Sequence, residues 1–529
     1  MTRLRVRHVS DGALLVEFPD ASDEDANRSA VALAGWLSSR PARPDDAVPG
    51  ARTLFCAFDP GRISSEDLER KIEASSLGPA EAAGASAGRE HVIDVAYGGP
   101  DLDAVAGRAG LTAEEVCARH AGSDYRVAFL GFAPGFAYLT GLPLELAAPR
   151  LSTPRPRVPA GSVALAGRYS GIYPAESPGG WNLIGRADLR LFDPDRAPPA
   201  LLASGDRVRF RRRRADEIAP PEAPVSAVSR GKEGAGAPLF RVLSPGLWSA
   251  AVAAPFRGRG ASGLPPSGAM DPALLAFGNA LLGNPADAPA VELAVAGPEL
   301  EALEDTRVAI AGGAGDAAID GRPYPAGVTA DLRKGQRLAL GAVRRGVRAY
   351  LCVAGGLEPP AALDIPSRLS PGDLLFGAHP AMHVENGSGP PAPAPAPDFP
   401  QDPVVRIVLG PQEDWFADEG VAALLNSPFR VSSTSDRRGI RLEGRRLAFR
   451  GESEIPPEGT ALGAIQVPGD GQPIVLGPDR PVTGGYPKIA TVISADFRLV
   501  AQTRPGTSLR FRAVSMADAL AARRRMART

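Results

Sequence analysis

PAGSVALAGRYSGIYPAESPGGWNLIG, residues 159–185, places six glycines, three prolines, two tyrosines and one tryptophan in a single stretch. Glycine and proline break any helix of useful length. Tyr169, Tyr173 and Trp181 nevertheless recur too regularly for a linker. Short apolar runs between Gly/Pro turns point to short strands of a closed or half-closed β-barrel. LGFAPGFAYLTGLP, residues 130–143, has the same texture.

Outward from these stretches the chain divides by composition. Residues 3–17 alternate apolar and polar around SDG, which predicts a hairpin. ANRSAVALAGWLSS has helical spacing, TLFCAFD is strand-like, and SSEDLERKIEAS opens with a capping signal. This β-β-α-β-α order predicts a small α+β domain over residues 1–80. A joint near 77–90 leads into a barrel at 90–214, with AEEVCARHAG as a helix. A linker at 215–237, a β-rich domain at 238–384, a Pro/Ala spacer at 385–402 and a second barrel at 403–516 follow. Residues 517–529 form a tail, and ADALAARRRMA within it reads as a frayed surface helix. The expected fold class is mainly β, with tandem barrels and an α+β N-terminal domain.

The totals limit the function. The 529 residues carry 59 basic and 60 acidic side chains, a net charge of −1, and 44% apolar residues. Such balance argues against a general binder of nucleic acid or acidic membrane. Cys56, Cys117 and Cys352 are far apart, no CxxC occurs and the five histidines are scattered. Neither a disulfide framework nor a metal site is expected. Without a signal-like apolar core or a membrane-length apolar run, a cytoplasmic protein is expected. GDRVRFRRRR reads as a solvated strand end. GASAG at 84–88 lacks the strand–turn–helix setting of a nucleophile elbow. GRGASG at 258–263 runs into LPPSG and so fails as a dinucleotide turn. There is no P-loop and no biotin-attachment sequence, so no covalent biotin is expected.

Phe132, Gly135, Phe136, Tyr138, Ser162, Tyr173, Gly179, Gly180 and Trp181 are candidates for a small-ligand pocket. Glycine turns let backbone N–H groups approach an anion, and the rings supply flat walls. A tightly turned barrel core without ligand fits the same residues. Thr483, Gly484, Gly485 and Tyr486 form a second such turn, closed by Lys488, one of only four lysines. Lys488 suits a phosphate donor or an ion pair with a carboxylate. His120 suits an acid/base or a structural helix-end role. Asp271, Asp436 and Asp479 suit ligand contacts or turn caps.

LGFAPGFAYLTGLP, VPAGSVALAG, GIYPAESPGGWNLIG and LFDP resemble the signature of the B-type subunit of 5-oxoprolinase, the KipI family. LSPGLWSA, SGAMDP, GNALLGN, RAYLCVAGG, SDRRGIRLEG, GAIQVP and TGGYPKIATVISADFRLVAQTRPG resemble its C-type subunit, the KipA or carboxyltransferase-like family. The resemblance spans nearly the whole chain in B–C order and implies cyclophilin-like barrels. It implies opening of 5-oxoproline to glutamate with ATP, and with Mg as its companion ion. The partner implied is a separate LamB/YcsF-type protein, the A-type component, and the substrate a small amide or lactam. Homo-oligomer formation stays open. His120, Lys488 and Asp479 become candidate catalytic groups, with Asp271, Gln466 and the Thr483–Tyr486 turn as candidate substrate contacts. The second half departs from its family at AVAAPFRGRG after SPGLWSA, at Ala280, at AGGAG (311–315) and at the shortened LDIPSRLSPGDLL. The first half departs at Tyr169-Ser170 and Ala187-Asp188. Carboxyl transfer with a biotin-carrying partner, as in urea amidolyase-like proteins, and regulation of a histidine kinase, as among KipI-like proteins, are the alternatives.

Overall fold

The computed structural model describes residues 4–75, 88–218, 238–358, 366, 368–378 and 399–526. The linkers expected from composition lie largely outside these residues, as does GASAG apart from Gly88.

The first strands, Arg5–Ser10 and Ala13–Glu17, form the expected hairpin. Strand Thr53–Ala57 joins it, and Asp46–Pro49 adds a fourth strand that the sequence reading missed. DAVP is short and ends in proline, so its apolar alternation is hard to see. Helix Asp23–Ser38 starts at Ser22, whose hydroxyl accepts the Asp25 N–H, and helix Ser65–Ala74 starts at Ser64 in the same way. Both helices cover one face of the sheet, where Leu14, Val16, Leu54 and Cys56 meet Leu33, Leu37, Leu68 and Ile72.

Two seven-stranded closed barrels follow, in the tandem cyclophilin-like arrangement. The first runs in the order Tyr169–Ile172, Ala137–Thr140, Asp124–Leu130, Arg207–Arg212, Glu90–Tyr97, Asn182–Ala187, Ser162–Ala166. Every strand sends at least one residue into a single apolar cluster, including Ile93, Val127, Leu139, Val163, Ile172, Ile184 and Val208. That is what alternating side chains must do around a closed wall. The second runs Val404–Leu409, Lys488–Val492, Ala464–Gln466, Ile474–Leu476, Gly439–Glu443, Phe429–Val431, Ser508–Ala513. Its interior is built alike, from Ile407, Ala490, Ile465, Val475, Ile440, Val431 and Phe511 among others. Each barrel closes by pairing its first strand in parallel with its last, Glu90–Tyr97 with Arg207–Arg212 and Val404–Leu409 with Ser508–Ala513.

Between the barrels, strands from Pro238–Ser244 to Leu374–Phe376 form a six-stranded and a five-stranded sheet around Phe240, Leu293, Ile310 and Leu351. Helix Pro272–Leu281 packs Leu274 and Leu275 onto Ala290, Tyr350 and Cys352. The arginine run ends an exposed strand, where Arg209, Arg211 and Arg212 pair with Asp124, Asp94 and Glu114. The C-terminal residues correct the reading of a frayed end. Helix Met516–Met526 buries Ala519 and Ala522, and Arg523 donates to the Asp11 carbonyl at 2.9 Å. Its small residues leave room for close docking, which its weak amphipathic pattern had concealed. Among the described residues no helix is long and apolar enough to cross a membrane.

Candidate functional site

The aromatic candidates lie on the outer wall of the first barrel. Phe136, Tyr138, Tyr173 and Trp181 are buried together with Phe129, Ala164 and Leu183, which alternate with the interior residues of their strands. Phe136 meets Tyr138, Tyr173 and Trp181 edge-on, with centroids 5.2, 5.4 and 5.2 Å apart. Gly171 leaves room for the Phe136 and Trp181 rings, and a Cβ at Gly179 would strike the Tyr173 ring. Ser162 closes its own turn by donating to the Pro159 carbonyl at 2.8 Å. Gly179 pairs with Arg155 in a two-stranded ribbon, and the Gly180 carbonyl accepts the Leu151 N–H. The rings are thus a packed layer.

Phe132 is the exception. It has φ +66° and 38% exposure, and stands edge-on to Phe136 and Tyr173. A bulky residue held in the left-handed region carries strain that the surrounding loop must fix. Its neighbour Gly131 lies so close to Thr483 of the second barrel that no Cβ would fit. The Gly135 N–H donates to the Ser262 carbonyl at 3.3 Å, and Gly263 lies against Ala133. GRGASG is therefore a short 3-10 turn against the first barrel, held to the N-terminal domain where the Gly260 N–H donates to Asp46 at 2.7 Å. Asn27 ties Gly50 to Ala128, and the Ala51 N–H reaches the Pro457 carbonyl. The signature loops of the two halves converge here, although more than 340 residues separate Gly131 from Thr483.

Lys488 is buried beside this junction. Its Nζ stands 3.0 Å from Glu458 and donates to the Tyr486 carbonyl at 3.2 Å. Gln412 donates to the same carboxylate at 2.8 Å and accepts the Lys488 N–H. Glu458 and Gly459 pair in turn with Gly484 and Thr483, so the ion pair fixes the Thr483–Tyr486 turn. Gln466 stands beside Gly484, and Gly485 lies against the Ile455 carbonyl.

His120, Lys488 and Asp479 belong to three separate networks. Asp479 accepts Arg437 Nε at 2.7 Å and the Ser267 hydroxyl at 2.7 Å. Arg437 also reaches Glu292 at 2.8 Å, and Glu292 accepts the Tyr350 hydroxyl and the Met270 N–H. The two arginines Arg437 and Arg348 outweigh burial and hold the Glu292 carboxyl below its ordinary range. Asp271 caps helix Pro272–Leu281 through the Leu274 N–H and accepts Gln502 at 2.9 Å. Asp436 caps its own turn through the Arg438 and Gly439 N–H groups. His120 is sealed inside the first barrel, with Nδ1 2.7 Å from the Tyr97 hydroxyl and Nε2 2.9 Å from Ser170 Oγ. Burial pushes its pKa down to about 3, so its ring is neutral.

The sequence reading missed Glu458, Gln412, Arg437, Glu292 and Arg480. Glu458 and Gln412 had no local motif, and the arginines were lost among so many others. Among the described residues no cluster of three or more His, Cys, Asp or Glu stands together to hold a metal ion.

Two cyclophilin-like barrels joined through glycine-rich loops define the class. Residues 4–202 match the family model "Carboxyltransferase domain, subdomain C and D", and residues 262–513 match "Carboxyltransferase domain, subdomain A and B". The first half is similar to the B-type 5-oxoprolinase subunit of Bacillus subtilis (strain 168), 39% identical over 40% of this chain and 93% of that protein. The second is similar to the C-type 5-oxoprolinase subunit of Haemophilus influenzae, 33% identical over 50% of this chain and 87% of that protein. The crystal structure of TTHA0988 covers both halves, with 37% identity and TM-score 0.82 over 96% of this chain and 100% of that one. The chain belongs to the carboxyltransferase-domain family of B-type and C-type 5-oxoprolinase subunits, with one half of each type fused in a single polypeptide.

Proposed function

We propose that this chain is the fused B–C component of an ATP-dependent 5-oxoprolinase, opening 5-oxoproline to glutamate with a separate LamB/YcsF-type protein as the A-type component. The observation that carries this reading is the match of one chain to a B-type and a C-type relative over nearly their whole lengths. The meeting of the two signature loops at Gly131 and Thr483 gives the fusion a chemical reason, since neither half holds the complete junction.

A five-membered lactam is a poor electrophile, so its hydrolysis needs coupling to ATP. Phosphoryl transfer to the amide oxygen releases ADP and leaves a carbon that water can attack. Expulsion of the ring nitrogen then opens the C–N bond, and a second water releases phosphate. Each turnover consumes two waters and yields glutamate, ADP and phosphate. Such a site needs oriented N–H donors at the developing negative charge and walls that exclude bulk water. The Thr483–Tyr486 turn supplies backbone donors, and Phe132 with Tyr486 supplies flat walls. Lys488 acts as a positioning residue that holds the turn through Glu458.

The test is reconstitution. The chain mixed with the A-type component from the same organism should release phosphate only with 5-oxoproline, with glutamate formed in equal amount. The chain alone should show little turnover. Strong turnover without a partner, or well-folded partners that associate yet form no glutamate, would overturn the reading.

A further inference from the structure

Two arginines of the second barrel are almost fully buried, and they are treated in opposite ways. Arg437 is 7% exposed and holds Asp479, Glu292 and the Gly268 carbonyl. Arg480 is 5% exposed, and among the described residues the one hydrogen bond of its guanidinium runs from Nε to the Thr460 carbonyl at 3.0 Å. Neither terminal nitrogen has a partner there, and no carboxylate stands within ion-pair distance. Neither of them is a sealed atom. A nearly buried guanidinium with one of its five donors used by the protein has accessible terminal nitrogens that an anion would complete.

Asp46 and Asp479 both act on Arg480 through space, but neither completes it, since Asp479 is held by Arg437 and Ser267. Asp46 spends its carboxylate on the Gly260 N–H, and burial pushes its pKa up to about 6. Burial likewise brings Arg480 down to about 10, with Asp46 and Asp479 only partly opposing it. Two other donors are unused at the same junction. Thr483 Oγ1 faces Gly131, and Thr53 Oγ1 stands near Gly50, which packs on Pro457 and Glu458.

We propose that Arg480 is the receptor for a small oxyanion, a carboxylate or a phosphate, entering the junction of the N-terminal domain, the Gly258–Gly263 turn and the second barrel. Arg480 can grip either anion with two parallel N–H bonds, which a lysine cannot imitate. The anion class follows from the unpaired guanidinium. Its assignment to the carboxylate of 5-oxoproline or to a phosphate rests on the function proposed above.

Calorimetric titration of the full chain, with no partner or turnover, tests this directly. The probes are 5-oxoproline, 2-pyrrolidinone, which is the same ring without the carboxylate, and inorganic phosphate. Saturable binding of 5-oxoproline but not 2-pyrrolidinone, weakened tenfold or more in R480Q, assigns the site to carboxylate. The same loss for phosphate, with 5-oxoproline unaffected, assigns it to phosphate. Binding of neither anion to the wild-type chain, or equal affinity in folded R480Q, overturns the proposal. Should R480Q not fold, R480K keeps the charge but loses the fork, and unchanged affinity there overturns it equally. Anion binding without glutamate formation in the reconstituted complex would leave the site standing and remove the oxoprolinase reading.

Discussion

His120 gives the molecule a measurable acid sensitivity. Its ring stacks on Phe210 with centroids 4.6 Å apart, both nitrogens are hydrogen-bonded, and burial holds its pKa near 3 against 6.5 in solvent. Because the folded value is depressed, the unfolded chain takes up the proton first. Stability is full above pH 6.5 and falls by about 1.4 kcal/mol per pH unit between 6.5 and 3. From pH 8 to pH 5 the loss is about 2 kcal/mol. Asp46 works in the opposite direction, since its raised pKa lets the folded state take up a proton first as pH falls through 6. The wild-type curve therefore mixes both effects, and a difference is needed. H120Q should open the first barrel more easily at pH 8 by about 2–4 kcal/mol, from lost packing and hydrogen bonds. At pH 5 that gap should shrink by about 2 kcal/mol, because glutamine has no proton to gain. Hydrogen exchange of Ala113–Ala121 and Asp124–Leu130, converted to opening free energies, reads both numbers locally. An identical gap at both pH values would refute the neutral, sealed histidine.

Replacing Arg437 by Met strands the Glu292 and Asp479 carboxylates and should cost about 3–5 kcal/mol; an unchanged calorimetric Tm would contradict the buried network. Gly131→Ala should loosen the contact between the halves, seen as faster proteolysis, and Thr483→Gly in the same chain, which removes the Cβ as well as the hydroxyl it would strike, should restore it; a double variant no better than G131A alone counts against that contact. Lys488→Met and Glu458→Gln should each lower turnover of the reconstituted complex by tenfold or more, with the double variant no worse than either single, since both break one pair. Additive losses would mean that the two groups act separately.

The barrels were legible because a closed wall imposes a local rule. Val163 and Leu165 face inward while Ala164 and Ala166 face outward, and glycine or proline marks each corner. The aromatic layer showed the same ambiguity in sequence that it resolves in structure, where only Phe132 of the five candidate rings keeps an exposed face. Helix Pro272–Leu281 carried a clear start, an Asp cap followed by proline, but its internal glycine and the turn-rich surroundings hid it. The ion-pair reading of Lys488 was open in the sequence, but neither its partner Glu458 nor the network around Glu292 could be named. Arg437 lies 145 residues from Glu292, and no spacing rule connects two elements of different sheets. The same holds for Gly131 and Thr483, where two motifs were each visible but their meeting was not. The site candidates were thus found as segments, while their grouping depended on tertiary packing.

The outer face of the N-terminal sheet has a consequence for how the chain is made. Val9, Ala13, Leu15, Val48 and Phe55 pack on Ala461, Ala464 and Leu476, and Asp11 accepts Ser494 and Arg523. A ribosome finishes the first domain long before it reaches that cover. At about 5–20 residues per second, the interval is on the order of 20–90 s. During it, an apolar sheet face stands open in the nascent chain. Chains halted before residue 461 should bind an apolar dye or a holdase chaperone, and released full-length chains should not. Equal binding by both would show that the face closes some other way. This domain thus emerges well before the residues that complete it.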